Sequence, residues 1–305
     1  MQPYKVCTIL FLLGVIISPG ICATAAPGNS SAKASISAAS TGTSVADLIA
    51  FVDNAVAYAK ANGKDKAIKE FNDNKSTKFI KGELYIFAYD FNGTRLAHPY
   101  QPEAIGENAL NVTDLNGVTI VRNMLNVARR GNGTLYYVWA NPIHNNKLET
   151  KLSYVQKVDD SRFLGASTYL PNTLVNFSQA SRNDLISFVD SAVKYAQENG
   201  KDKALKEFND TNGTFFRGSL YVFGDDFNGN HLVGVPNLIG TNIIDMKDRN
   251  GVEFVRDMID LAKEGKGLTY YIYADQTKNM TERLKLSYVK KVDDNLWIGA
   301  GLYAL

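Results

Sequence analysis

The chain has 305 residues, enough for two domains of about 150 residues each, and it is 45% hydrophobic and 21% charged, as in globular proteins with a core. Its 33 basic and 31 acidic side chains give a formal net charge of +2. The two signs are interspersed along the sequence, and no basic patch with interleaved aromatic residues is present, which argues against nucleic-acid binding.

The first 25 residues are typical of a signal peptide. Lys5 supplies a positive start, residues 6–18 are mostly apolar, and Ala23-Thr24-Ala25 has the small-residue pattern of a cleavage site. An uncleaved membrane anchor over residues 6–22 is the alternative, although it is short for a bilayer, which needs about 20 residues. We therefore expect a secreted protein or one on the outer face of the cell envelope, with anchoring by this segment as the other possibility.

The segment after the predicted signal peptide indicates a flexible linker. Residues 26–43 are rich in Ser, Ala, Thr and Gly and carry one charge, Lys33. Both cysteines, Cys7 and Cys22, lie in the leader, so the mature chain would have no disulfide. Nine Asn-x-Ser/Thr sequons are compatible with a glycosylated exported protein and equally with chance; their asparagines are Asn29, Asn74, Asn92, Asn111, Asn132, Asn176, Asn209, Asn212 and Asn279.

The rest of the chain contains one sequence twice. DLIAFVDNAVAYAKANGKDKAIKEFND begins at Asp47, DLISFVDSAVKYAQENGKDKALKEFND begins at Asp184, and 21 of the 27 aligned residues are identical. KLSYVQKVDD at Lys151 likewise matches KLSYVKKVDD at Lys285. Because solenoid repeats are only about 20–50 residues long, this spacing indicates duplication of a whole domain. We place the two domains at residues 44–172 and 181–305.

Each repeat begins with two predicted helices. In the first repeat, apolar residues recur at helical spacing over residues 45–59, and Asn62-Gly63 ends the helix. A second, short helix is predicted over residues 64–71. Ser44 and Ser181 stand three residues before Asp47 and Asp184, which predicts that each serine caps its helix.

Strands and one further helix are predicted for the remainder of each repeat. Residues 84–89 form a strand, and Asn92-Gly93 predicts a hairpin turn, as does Asn228-Gly229 in the second repeat. A helix at about residues 118–130 precedes three strands at residues 134–140, 151–158 and 163–169. Runs of strands next to segregated helices indicate an α+β fold with a central antiparallel sheet.

Several short motifs occur in the same order in both repeats. In the first repeat they are LYIF, DFNG, Leu-Ala-His-Pro, IGEN, DLNG, YYVW, KLSYV and FLGASTY; in the second they are LYVF, DFNG, IGTN, DRNG, YYIY, KLSYV and WIGAGLY. Six or seven such motifs, found twice, resemble the Cache family of extracellular sensor domains, in particular the single-Cache type. The resemblance covers nearly all of residues 47–305.

The resemblance implies two tandem PAS-like domains that bind small extracellular molecules. In this fold helices cover one face of the sheet, and a loop and short helix close a ligand pocket on the other face. The family's ligands are often carboxylates or amino acids, and its domains usually belong to chemoreceptors, histidine kinases or cyclases. Because this chain ends at Leu305 without a signalling domain, we expect a membrane receptor or other cell-surface protein to relay any signal.

Arginine, lysine and histidine are the candidate anion-binding residues. Arg122 and Arg256, each after a D-x-N-G turn, have the fork of donors that suits a carboxylate, and a solvated surface position is the alternative. Lys151 and Lys285 open the fourth strand, where a solvent-facing lysine is the alternative. His98 follows the hairpin, where the family often places a ligand-facing histidine, and no histidine stands at that point of the second repeat.

Aromatic residues are the candidate walls of the pocket. Strand alternation places Tyr137 and Trp139 on one face of the third strand, and it pairs Tyr271 with Tyr273 in the second repeat. These side chains suit either a core or a partly hydrated site. The same argument extends to Tyr85, Tyr221, Tyr154 and Tyr288.

No enzyme signature is found in the sequence. Nucleophile elbow, P-loop, zinc-protease and dinucleotide motifs are absent, and the three histidines are not spaced as metal ligands. We therefore expect reversible binding of a small organic anion or amino acid, without catalysis, cofactor or metal. The alternative is a glycosylated structural protein of the cell surface that uses Cache folds as a scaffold.

Overall fold

Each repeat folds into a five-stranded antiparallel sheet with two helices on one face. The computed structural model describes residues 43–170, 173 and 175–304. The predicted signal peptide, nearly all of the predicted linker and the sequon at Asn29 lie outside the described residues. Within these residues, no helix is both long enough and apolar enough to cross a membrane.

The first repeat has the strand order of a PAS-like sheet. Its elements are α1 (Val45–Asn62), α2 (Lys64–Phe71), a ribbon of β1 (Ile80–Lys81) and β2 (Leu84–Tyr85), β3 (Phe87–Asp90), β4 (Arg95–Ala97), α3 (Ile120–Arg129), β5 (Asn132–Asn141), β6 (Lys147–Asp159) and β7 (Arg162–Tyr169). The strands of the main sheet are ordered β4-β3-β7-β6-β5, and every neighbouring pair is antiparallel.

The second repeat has the same topology. Its elements are α4 (Gln179–Asn199), α5 (Lys201–Phe208), a ribbon of β8 (Phe216–Arg217) and β9 (Leu220–Tyr221), β10 (Phe223–Asp225), β11 (His231–Val233), α6 (Phe254–Lys263), β12 (Lys266–Asp275), β13 (Thr281–Asp293) and β14 (Leu296–Tyr303). The strands of its main sheet are ordered β11-β10-β14-β13-β12. The predicted α+β fold of two tandem PAS-like domains is confirmed.

The first helix of each repeat is capped by a serine, but not at equivalent positions. Ser44 caps α1 as predicted, since its hydroxyl accepts a hydrogen bond from the backbone of Asp47 at 3.1 Å. The prediction for Ser181 is wrong because α4 begins one turn earlier. There Ser178 is the cap, and its hydroxyl accepts from the backbone of Ser181 at 3.0 Å.

The strand predicted over residues 84–89 is two strands. Its first part pairs in the ribbon as β2, and its second part enters the main sheet as β3. Between them the backbone of Ile86 donates to Phe79, which turns the chain from the ribbon into the sheet. The predicted helix at residues 118–130 begins at Ile120, because the Asp114 carboxylate accepts from the backbone of Val118 and keeps that residue in the preceding turn.

The two faces of each sheet are buried against different layers. In the first repeat, α1 and α2 cover one face with a cluster that includes Leu48, Val52 and Leu164. On the other face α3 packs over the sheet through residues such as Val121 and Met124. The second repeat has two equivalent clusters. In both repeats, therefore, the sheet face opposite the long first helix, α1 or α4, is available for a cavity.

The two repeats contact each other through equivalent groups. The hydroxyl of Tyr270 donates to Asp114 at 2.9 Å and contacts Asn116 at 2.8 Å, so the second repeat's tyrosine contacts the first repeat's D-x-N-G turn. Reciprocally, the hydroxyl of Tyr136 accepts from Asn250, in the second repeat's D-x-N-G turn, at 2.7 Å. One apolar cluster also includes residues of both repeats. The repeats therefore pack as an approximately two-fold pair.

Candidate functional site

A cavity lies on the α3 side of the first sheet. It has about 390 Å³, counted together with its open mouth. Its walls come from the sheet, from α3 and from the loop after β4: Tyr85, Phe87, Tyr89, Arg95, His98, Gln101, Val112, Ile120, Val121, Met124, Tyr137 and Trp139. His98, Tyr137 and Trp139, three of the sequence-derived candidates, thus line one cavity.

A buried lysine stands at the centre of the sheet beside this cavity. Lys151 is 1% exposed and lies on β6, directly between Tyr137 on β5 and Tyr169 on β7. Its ammonium donates to the hydroxyl of Tyr85 at 3.1 Å and lies 4.6 Å from the centre of the Tyr169 ring. Burial lowers the pKa of this lysine to about 7, although the charge of Glu83 opposes the shift.

Two further basic groups line the same cavity. Arg95 is 8% exposed, and its Nε donates to the hydroxyl of Tyr89 at 3.2 Å. His98 is 7% exposed and packs edge-on against Tyr85, and its Nδ1 has no hydrogen-bond partner among the described residues. Burial, with the nearby charges of Lys151 and Arg95, lowers the pKa of His98 to about 3, so the imidazole is neutral at pH 7.

The second repeat has an equivalent cavity of about 410 Å³. Lys285 lines it, is 1% exposed, and lies on β13 between Tyr271 and Tyr303 of the neighbouring strands. Its ammonium is 4.6 Å from the ring centre of Tyr221 and 4.8 Å from that of Tyr303. Burial lowers its pKa to about 7 as well, against the opposing charge of Asp275. Tyr271 and Tyr273 also line this cavity, as the sequence suggests.

The two candidate arginines lie outside the cavities. Arg122 is more than one-third exposed, with Nη1 3.6 Å from Glu264 of the second repeat. Arg256 is about as exposed and forms an ion pair with Asp245. Each arginine directly follows a valine that lines the cavity. Because successive residues of a helix are rotated by about 100°, the arginine side chain lies on a different side of the helix from that valine. The structure thus corrects the expectation that these arginines meet the ligand.

The two candidate tyrosines of the fourth strand also lie away from the cavities. Tyr154 is buried in the cluster under α1, and Tyr288 is buried in the equivalent cluster under α4. Each stands three residues after the buried lysine, and side chains an odd number of residues apart point to opposite faces of a strand. Both tyrosines therefore belong to the helix-side core.

The structure adds cavity residues that the sequence analysis missed. Arg95 in the first repeat is one, and Asp225 and His231 in the second are others. A signal was present: positions 95 and 231 both lie two residues after an Asn-Gly hairpin turn, so they open the returning strand beside the sheet. Tyr169 and Tyr303 are not in the cavity walls, but their rings lie beside the buried lysines, and their pairing with the lysine strand could have indicated this.

Other features of the described residues bear on binding and modification. They contain no group of three or more His, Cys, Asp or Glu that could hold a metal ion. The eight sequon asparagines that the structure describes are all exposed, which makes each accessible to modification.

Known proteins with similar sequences or folds include sensors and chemoreceptors. The sensor histidine kinase MctS of Rhizobium johnstonii is 29% identical over 126 residues, which are 41% of this chain and 27% of that protein. This chain thus spans about a quarter of that relative's length. A methyl-accepting chemotaxis protein from Vibrio parahaemolyticus is 24% identical, over 42% of this chain and 88% of that one, with a TM-score of 0.37. The ligand-binding domain of the Pseudomonas fluorescens chemoreceptor CtaA, solved with L-isoleucine, is 11% identical over 85% of this chain and 84% of that one, with a TM-score of 0.27.

A match to a family model covers both repeats. The model dCache_2, described as a Cache domain, matches residues 58–304, which include both sheets and both cavities. On the strength of this match over most of its length, the chain belongs to the Cache domain family.

Proposed function

We propose that this protein reversibly binds small organic carboxylates in the cavities of its two Cache domains and does not catalyse a reaction of them. The observation that carries the proposal is the buried lysine of each sheet. Among the described residues neither Lys151 nor Lys285 has an ion-pair partner, and both are enclosed by aromatic rings. A buried charge needs a partner to be stable, and a bound carboxylate would supply it.

The surroundings of the lysines also favour an anion as ligand. Aromatic ring faces keep the ammonium partly stabilised when the cavity holds no anion. In the first cavity Arg95 adds a second cation, and none of the described residues in the wall is acidic. In the second cavity the wall contains Asp225, whose carboxylate is paired with His231. Against the alternative of a Cache fold used only as scaffold, both cavities are open at the mouth and have polar groups in their walls beside the buried cation, unlike a closed apolar core.

The proposal extends to where the protein works. We infer that it operates outside the cell or in the outer envelope and carries glycans at some exposed sequons. A membrane receptor or cell-surface partner would relay the bound state. Support comes from the sequence of the first 25 residues and from the exposure of eight sequon asparagines.

Removal of both lysines should abolish carboxylate binding. Thermal unfolding of the chain is measured with acetate, propionate and butyrate, for the parent and for the Lys151→Met/Lys285→Met variant. A carboxylate at 100 times its dissociation constant should add about 2.7 kcal/mol to the parent's stability for each cavity that it fills, and nothing to the variant's. Methionine keeps the length and apolar stem of lysine and removes the charge.

Arg122→Ala is the matched control, because it removes a cation that lies outside the cavity. It should bind the same carboxylate as tightly as the parent. The proposed function is wrong if the double lysine variant binds carboxylates as tightly as the parent, or if no small carboxylate shifts the parent's unfolding.

A further inference from the structure

The two cavities differ at one pair of equivalent positions. In the first cavity, Tyr89 on β3 and Arg95 on β4 form a pair through the 3.2 Å hydrogen bond between their side chains. In the second cavity the same positions on β10 and β11 hold Asp225 and His231. Both pairs line their cavities, so the duplication has exchanged a tyrosine–arginine pair for an acid–imidazole pair at the same place.

The charged groups of the first cavity offer only hydrogen-bond donors. Arg95 has no acceptor, and neither does the Lys151 ammonium when it is protonated. The hydroxyl of Tyr89 already accepts a hydrogen bond from Arg95. His98 adds a neutral imidazole to this cavity, but among the described residues no carboxylate is bonded to its Nδ1, so neither ring nitrogen is fixed as the acceptor. The charged groups therefore suit a ligand whose polar end consists of acceptors, such as a simple carboxylate.

The second cavity has a built acceptor. His231 is 5% exposed, Asp225 is 2% exposed, and Nδ1 of the histidine lies 2.6 Å from the carboxylate of the aspartate. A carboxylate can only accept, so Nδ1 carries a proton and donates it to Asp225; in the neutral form of the ring, Nε2 then holds the lone pair. This Nε2 is buried and has no partner among the described residues.

The residue that faces the imidazole edge is a glycine. A Cβ on Gly234 would come within 3.2 Å of Nε2 and 3.3 Å of Cε1 of His231. His98 holds the equivalent position in the first repeat, so each cavity has one histidine, contributed from a different position. Gly234 thus leaves the Nε2 edge of His231 uncovered by any side chain of its own.

We propose that the second cavity is a separate specificity site for a carboxylate that also bears a hydroxyl, which donates to Nε2 of His231 while the carboxylate pairs with Lys285. The first cavity, by contrast, binds a carboxylate without a hydroxyl at least as tightly as the corresponding hydroxy acid. The inference rests on the proposed function, because both cavities must first bind carboxylates. Asp225 acts as a positioning residue that fixes the tautomer of His231.

The test uses propionate and 2-hydroxypropionate, which differ by one hydroxyl. Calorimetric titration of the full chain is performed on Lys151→Met, which leaves the second cavity, and on Lys285→Met, which leaves the first. With Lys151→Met the hydroxy acid should bind about tenfold more tightly than propionate, the effect of one hydrogen bond. With Lys285→Met this preference should be absent.

A second pair of variants assigns the preference to the histidine. In the Lys151→Met background, His231→Phe should reduce the tenfold ratio to about one. Because His231→Phe leaves Asp225 without its partner, the exchange Asp225→Tyr/His231→Arg is the matched variant, since it installs the pair that the first cavity already holds. It should also remove the preference, and circular dichroism confirms that each variant is folded.

The inference is overturned if Lys151→Met binds the two acids equally or prefers propionate, or if the preference survives both His231 variants. Either result leaves the proposed function intact, since carboxylates still bind. If instead neither acid, nor any other small carboxylate, binds the parent chain, the proposed function fails and this inference fails with it.

Discussion

At the scale of single residues, the buried lysines are the costly feature of each sheet. An ammonium removed from water without an anion is destabilised, and its pKa falls until the neutral form competes. In the second repeat the sheet makes room for this side chain, because a Cβ on Gly301 would come within 2.6 Å of Cε of Lys285. A residue that costs stability while no ligand is bound, and is provided with space, is typical of a binding site rather than a core.

This cost makes stability depend on pH. Between pH 7 and pH 9 the unfolded chain keeps its lysine protons, because the ordinary pKa is 10.5, whereas Lys151 and Lys285 release theirs near pH 7. The unfolded state then binds more protons, so the free energy of unfolding should rise with pH, by at most about 1.4 kcal/mol per unit and lysine. Urea unfolding at pH 7, 8 and 9 without ligand measures the slope.

Lys151→Met/Lys285→Met is the control for this dependence. It should be more stable than the parent at pH 7 and should show a flatter slope up to pH 9. Equal slopes for the parent and the variant would mean that the lysines are solvated in solution and keep their ordinary pKa.

At the scale of helices and strands, the local sequence patterns were reliable where they determine structure by themselves. The two Asn-Gly hairpins, the helix at residues 64–71 and the three last strands of each repeat follow from turn chemistry and side-chain periodicity. The cap of α4 did not follow, because Ser178 and Ser181 are both good capping residues in one turn. Which of them starts the helix depends on how the preceding chain is held, here by Asn116 through the backbone of Phe177.

The true cap can be told from the false one by substitution. Ser178→Ala should cost about 1 kcal/mol of stability, because the backbone of Ser181 then loses its acceptor. Ser181→Ala keeps that backbone donor and should cost a few tenths of a kcal/mol, within the usual range for a surface change. Urea unfolding of both variants checks the order, and a larger loss for Ser181→Ala would contradict the assignment.

The cavity residues divide in the same way between what local sequence predicts and what it does not. Strand alternation correctly placed Tyr137 and Trp139 together on one face, and the observed pairing of the strands adds Lys151 to that face. The side of α3 that faces the cavity could not be derived, because an amphipathic helix has two partners here, the sheet and the other repeat. Arg122 meets the second repeat, while Arg95, on a three-residue strand with little periodicity, meets the cavity.

At the scale of the whole molecule, charged residues at the interface favour the pairing of a first repeat with a second repeat over the pairing of two identical repeats. The first repeat brings Arg130, whose guanidinium forms ion pairs with Asp257 and Asp260 of the second repeat. At the positions equivalent to these two aspartates, the first repeat has Asn123 and Asn126. At the position equivalent to Arg130 the second repeat has Glu264. Two copies of the second repeat would thus place acidic residues opposite each other, so this face favours pairing within the duplicated chain.

The same helices serve the interface and the cavities. On α3, Asn126 donates to Glu264 across the interface, while Val121 and Met124 line the first cavity. On α6, Met258 lines the second cavity one residue after the interface Asp257. A shift of either helix on ligand binding would therefore alter the contacts of the other repeat.

Loss of the ion pairs that Arg130 forms with Asp257 and Asp260, here called the Arg130 clamp, should strongly destabilise the pair of repeats. Asp257 is almost fully buried, and its pKa is raised to about 6 by burial even though Arg130 opposes the shift, so removal of the guanidinium leaves uncompensated buried acids. Arg130→Ala should cost roughly 3–5 kcal/mol in urea unfolding. Arg129→Ala, an exposed neighbour, should cost little. Replacement of both partners, as in Arg130→Met/Asp257→Asn, should cost less than Arg130→Ala because less unpaired charge stays buried. If Arg130→Ala unfolds at the same urea concentration as Arg129→Ala, the clamp does not hold the repeats together.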